Sequence, residues 1–151
     1  MVILETTIFF DGTKLIEKLY PAGKSGEFLE EAKRDSLVQA IGTLAHDRFD
    51  DEIHSAKIGT YQISMISREI MHPGDETIKK AIYMYSISDL NTDNDLLIKN
   101  MNTAMDQFLN RYSRNDIFEK NVEKFKPFAK RFDKIFEGLI YSMTDRLKQI
   151  F

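Results

Sequence analysis

The dipeptide Asp11-Gly12 limits the folds open to this chain more than any other feature. It joins two apolar, β-branched runs, Val2-Ile3-Leu4-Glu5-Thr6-Thr7-Ile8-Phe9-Phe10 and Thr13-Lys14-Leu15-Ile16-Glu17-Lys18-Leu19-Tyr20. Asp-Gly between two such runs is a strong signal for a tight two-residue hairpin turn. The first run is nearly continuous in apolar residues, as suits a strand covered on both faces. The second carries Lys14, Glu17 and Lys18, as suits a strand at the border of a sheet. The remainder of the chain must supply further strands and the helices that cover this hairpin.

A loop by composition, Tyr20-Pro21-Ala22-Gly23-Lys24-Ser25-Gly26, precedes Phe28, Ala32, Leu37, Val38, Ile41, Leu44, Ala45 and Phe49 at helical spacing. The spacing predicts an amphipathic helix to Phe49, with Gly42 inside it where close approach to a sheet would explain the missing side chain. The acidic residues Asp47, Asp50, Asp51 and Glu52 end it. Ile53–Ile58 and Tyr61–Ile70 read as a second hairpin turning at Gly59-Thr60, because Tyr61, Ile63 and Met65 alternate with Gln62 and Ser64. His72-Pro73-Gly74-Asp75 is a turn, and Ile78–Ser88 is a strand apolar on both faces, expected beside the first strand. Asp89–Asp95 is rich in capping residues, and Leu97, Met101, Ala104, Phe108 and Tyr112 then step along one helix face. Ser113 with Asp116 three residues on reads as a new N-cap. Phe118, Val122 and Phe125 form the next stripe, and Pro127 predicts a kink or a fresh helix start.

This order, β-β-α-β-β-β-α-α over about residues 1–125, resembles the longin domain, the profilin-like fold of vesicle SNARE N-termini, adaptor small subunits and several small-GTPase regulators. The resemblance lies in element order rather than in invariant residues. It implies an α/β (α+β) fold with a five-stranded antiparallel sheet of order 2-1-5-4-3 and helices on both faces, plus a C-terminal helical extension. It further implies a partner-binding role in a small-GTPase or membrane-trafficking-like system, with a small GTPase, a second longin domain or a roadblock domain as partner. Only 26 residues follow Phe125, fewer than a SNARE motif with an anchor needs, so a conventional vesicle SNARE is not expected.

Composition narrows the function classes. A chain of 151 residues with 42% hydrophobic residues can bury a core without a staple, and with no cysteine it has neither a disulfide nor a thiol nucleophile. No apolar run reaches the roughly 20 residues of a membrane span and no basic leader opens the chain, so a cytoplasmic protein is expected. A net charge of −3 argues against nucleic acid as a partner. Gly23-Lys24-Ser25 resembles the end of a phosphate-binding loop, but Lys18 stands where its first glycine is required. Asp89–Asp95 has alternating oxygen donors like a calcium loop, but Asn94 and Asn100 occupy the glycine and glutamate positions. His46, His54 and His72 have no metal-ligand spacing, and no histidine accompanies a plausible serine nucleophile. Neither cofactor, metal site nor catalytic residue is expected, and the chain is read as a non-enzyme.

The C-terminal stretch exceeds what the first 125 residues need for a core. Phe118, Val122, Phe125, Ala129, Phe132, Phe136, Leu139 and Met143 recur at alternating four- and three-residue steps, the period of a helix that meets another surface. Residues 126–151 hold six basic and three acidic residues, so this segment is +3 and residues 1–125 are −6. As one helix from Pro127 it would be about 37 Å long. Three roles are open: folding back on its own domain, pairing with a helical partner or a second copy in a homodimer, and peripheral attachment to an anionic membrane. The candidate partner- or membrane-binding residues are Phe128, Phe132, Ile135, Phe136, Leu139 and Met143 with the basic Lys130, Arg131 and Lys134. The sequence thus divides into a longin-like domain, 1–125, and an amphipathic extension, 126–151, with the extension as the expected interaction element.

Overall fold

The computed structural model describes residues 3–20, 53–58 and 61–140. Strands β1 (Ile3–Phe10) and β2 (Thr13–Leu19) form the opening hairpin, and Asp11 and Gly12 both take positive φ, 48° and 78°. That pair of left-handed conformations is the primed turn whose twist matches the flanking strands. Strands β3 (Ile53–Ile58), β4 (Tyr61–His72) and β5 (Asp75–Asp89) follow, and the sheet runs β2-β1-β5-β4-β3 with every neighbouring pair antiparallel. β1 and β5 lie inside it, as their two-sided apolar patterns require, and β2 forms a border, as its charges suggest.

Register assigns the side chains to two faces. Phe10, Ile82 and Arg68 lie opposite one another, as do Ile8, Met84 and Ile66, and these positions face the helices. Thr7, Tyr85 and Met65 form a row on the other face, beside Glu5, Ile87 and Ile63, and all six are buried. The helix expected over Phe28–Phe49, with Gly42, Gly23-Lys24-Ser25, His46, the acidic cluster and the Gly59-Thr60 turn, lies outside the described residues. Among the described residues, the helices cover one face.

Helix α1 (Asn94–Arg111) begins at Asp93, whose carboxylate accepts the backbone N–H groups of Asp95 and Leu96. Its Leu97, Met101, Ala104, Met105 and Phe108 are buried against the sheet; Met105 was not in the sequence-based series. Ser113 and Asp116 close a reciprocal capping box on α2 (Arg114–Glu119), which satisfies two donors that a helix start leaves open. α2 stops at Lys120, a non-glycine residue at φ 56°, whose ammonium is held by both the carbonyl and the carboxylate of Asp11. α3 (Val122–Phe125) leads into a 3-10 turn (Lys126–Phe128) around Pro127, then α4 (Ala129–Ile135) and α5 (Glu137–Ile140). The long straight helix expected from Pro127 is therefore a bent series of short ones, broken again at Phe136, which adopts φ −96° and ψ 12°. Breaks of this kind let the chain wrap around a core that a straight rod would cross only once.

Candidate interaction surface

Phe125, Phe132, Phe136 and Leu139 are 0% exposed and Phe128 is 1% exposed, all within the same apolar cluster as Ile8, Phe10, Met84 and Met101. Phe128 packs edge-on to Phe108 at 5.3 Å and to Phe132 at 5.4 Å, and Tyr112 meets Phe125 at 4.8 Å. α4 is also fastened to β2: the Tyr20 hydroxyl donates to Asp133 Oδ1 at 2.8 Å, and Lys18 approaches Asp133 Oδ2 at 3.5 Å. Of the three roles open to the tail, its described part, residues 126–140, displays the first, a segment folded onto its own domain. No break in packing falls at Phe125, so the core runs through the boundary between the two expected segments. Of the named candidates, Phe128, Phe132, Phe136 and Leu139 are core residues, Ile135 is half-buried, and Lys130, Arg131 and Lys134 stay on the surface. Met143 lies outside the described residues. Periodicity shows that a face must be covered; it does not show by what.

Two polar clusters sit within the sheet. On the face away from the described helices, the Tyr85 hydroxyl donates to Glu5 Oε1 at 3.1 Å and the Thr7 hydroxyl donates to the same oxygen at 3.3 Å. Burial, followed by the nearby Glu5 charge, pushes the Tyr85 phenol well above its ordinary value, so it remains a donor at any physiological pH. The sequence held a signal for this: three polar residues, Glu5, Thr6 and Thr7, interrupt a strand with both faces covered, where polar groups must find partners. On the helix face, Asn94 Oδ1 accepts from Gln62 Nε2 at 2.5 Å and from the Ser64 hydroxyl at 2.9 Å, which joins the start of α1 to β4. Both clusters bind elements of the fold to one another. Among the described residues, no group of three histidines, cysteines or carboxylates converges as metal ligands.

Among the described residues, the longest run of consecutive exposed positions is the far half of the β4–β5 hairpin. Among the described residues, β1 pairs with β5 as far as Ile82 and β3 pairs with β4 as far as Ile66, whereas β4 and β5 pair with each other on to Met71 and Lys79; the register then shifts, His72 lies opposite Asp75, and residues 76–78 of β5 stand outside the ladder. The sequence placed the ends of these strands at Ile70 and Ile78. They run farther because Pro73-Gly74 turns the chain in two residues and both flanks are anchored. His72 stacks edge-on against Phe118 at 4.9 Å, and the Asp75 carboxylate accepts the Thr77 N–H at 3.0 Å. A two-stranded ribbon thus projects past the sheet, with every residue from Pro73 to Lys80 exposed, including Ile78 at 41%.

Compared with known proteins, the chain matches no family model, no curated protein and no solved structure. Among the described residues, no helix is long and apolar enough to cross a membrane.

Proposed function

We propose that this chain is a non-catalytic protein-interaction module, a longin-type adaptor or regulator in a small-GTPase or membrane-trafficking-like system. The observation that carries the reading is the strand order β2-β1-β5-β4-β3, which begins with a hairpin and is followed by helices that return to one face. In the finer form of the proposal, the sheet is a five-stranded longin sheet with a further helix on its second face, and the partner is a small GTPase or another longin or roadblock domain. The alternative, a peripheral membrane adaptor working through the C-terminal amphipathic helix, has less support from the described residues: Phe128, Phe132 and Phe136 are in the core, and of the candidates among those residues Lys130, Arg131 and Lys134 are left on the surface.

The test is capture from native lysate on the immobilised chain, in GDP and in a non-hydrolysable GTP analogue. Retention of a GTPase in one nucleotide state and its loss in the other is the expected result. Capture that is indifferent to nucleotide, or that recovers no GTPase, overturns the proposal. Sedimentation with anionic vesicles, abolished by salt, would move the assignment to the membrane alternative.

A further inference from the structure

We infer that the outward ridge of α4, made by Lys130, Arg131 and Lys134, is the docking surface for a short carboxylate-rich segment of a partner protein. On a helix, residues four apart share a face and residues two apart point in nearly opposite directions. Phe128 and Phe132 are buried beneath α4, so Lys130 and Lys134 fall on its far side, where both are exposed, with Arg131 exposed on one flank. Asp133 lies on the other flank, against β2, where it accepts from the Tyr20 hydroxyl and meets Lys18.

From Lys126 onward the sequence mixes three acids with six bases, which reads as an ordinary solvated surface. The fold separates them. The single acid of α4, Asp133, is turned to β2, and Glu123, ahead of Pro127, is paired with Lys126 at 2.7 Å. Lys18, Lys80, Lys120 and Lys124 each have a carboxylate oxygen within 3.5 Å. Lys130, Arg131 and Lys134 do not: among the described residues they form neither an ion pair nor a hydrogen bond. Glu137, the next acid, follows the break at Phe136 and forms no ion pair with them. Three cations within five residues and without an internal counter-charge repel one another, and carboxylates from outside relieve that repulsion.

The occupant follows from the chemistry of the ridge. Lys130 and Lys134 stand about 6 Å apart along the axis, the interval at which a partner helix presents carboxylates four residues apart. Lysine acts as a point charge, whereas phosphoryl recognition favours the forked guanidinium, so a ridge with two lysines and one arginine suits carboxylates. A helix that binds lipid sinks its apolar side chains beside its cations, and here Phe128, Phe132 and Phe136 are turned into the core. With a net charge of −3, the chain as a whole does not attract an extended polyanion, which confines the attraction to the ridge and to a short segment. The inference rests on the reading of the chain as an interaction module and gives that module a surface and a partner chemistry.

The isotopically labelled full chain is titrated at low ionic strength with a short polyglutamate peptide and followed by amide chemical shifts. Saturable shifts centred on residues 126–134 and abolished by high salt are expected. Lys130→Glu combined with Lys134→Glu should weaken binding about tenfold or more, because two attractions become repulsions. Lys57→Glu combined with Lys99→Glu changes the net charge equally at exposed lysines elsewhere and should bind within about twofold of wild type. Circular dichroism confirms that both variants are folded. Shifts centred away from α4, undiminished binding by the ridge variant, or an equal loss in both variants would each overturn the inference. Ridge-dependent sedimentation with phosphatidylserine vesicles, without peptide binding, would overturn it in favour of lipid. Nucleotide-dependent capture of a GTPase that the ridge variant retains in full defeats the inference alone, whereas absence of capture by wild type defeats the reading as a GTPase partner and leaves the peptide titration to decide the ridge.

Discussion

At the residue scale, several positions have effects that follow from their surroundings. Gly12 has open space where a Cβ would stand, yet its φ is +78°. Gly12→Ala is therefore expected to cost about 1 kcal/mol through backbone strain alone, read from urea unfolding. Tyr85→Phe removes one of the donors to a buried carboxylate and should cost about 1 to 2 kcal/mol in the same measurement, with no change in chain length or sheet register. Asp11 is held below its ordinary carboxyl value first by its hydrogen bond to Lys120 and then by that to Lys80. A carboxylate with a depressed folded value stabilises the fold above its unfolded pKa, and the contribution disappears as pH falls through the folded one. The gap in stability between wild type and Asp11→Asn should accordingly be constant from pH 5 to 7 and close below about pH 4. Because the side chains involved are well exposed, solvent screening keeps it to about 0.5 kcal/mol.

At the scale of elements, the C-terminal helices provide the clearest outcome. Removing everything after Phe125 deletes Phe128, Phe132, Phe136 and Leu139, each buried in the shared cluster. At about 1.5 to 3 kcal/mol for each buried side chain, the loss is comparable to the whole stability of a typical domain. The truncated chain should lack a cooperative thermal transition by circular dichroism; a cooperatively folded truncation would show that the tail is dispensable to the core. Phe132→Ala alone should cost about 3 to 5 kcal/mol. The sequence is a good guide to caps because capping is local: Ser113 and Asp116 satisfy each other's backbone within one turn, wherever the helix then packs.

For the whole molecule, the sheet divides into a flanked part and a projecting part. Backbone amides of β1 and of β5 between Ile82 and Ser88 lie between two strands, and among the described residues those of the ribbon beyond them have one neighbouring strand at most. Hydrogen exchange should be slowest in the first group and fastest from Pro73 to Lys80. Ion pairs tie distant parts of the fold together, Lys120 with Asp11 and Lys18 with Asp133. These contacts run between elements far apart in sequence, so no window along the chain could reveal them.

What the sequence determined by itself is whatever depends on a few neighbouring residues. The primed turn at Asp11-Gly12, the Pro73-Gly74 turn, the alternation of Tyr61, Ile63 and Met65, the caps at Asp93 and Ser113, and the interior place of β1 and β5 all follow from backbone preference and the period of side chains along an element. Tertiary structure decided which surfaces those elements cover. The same phenylalanine stripe would serve a partner helix, a membrane or the chain's own sheet, because burial of apolar area has no direction and takes the nearest matching surface. The breaks at Lys120, Pro127 and Phe136 brought that surface within reach. Likewise, Ile78 is an ordinary strand residue in the sequence, and only the register shift between Met71 and His72 sets it outside the β4–β5 ladder.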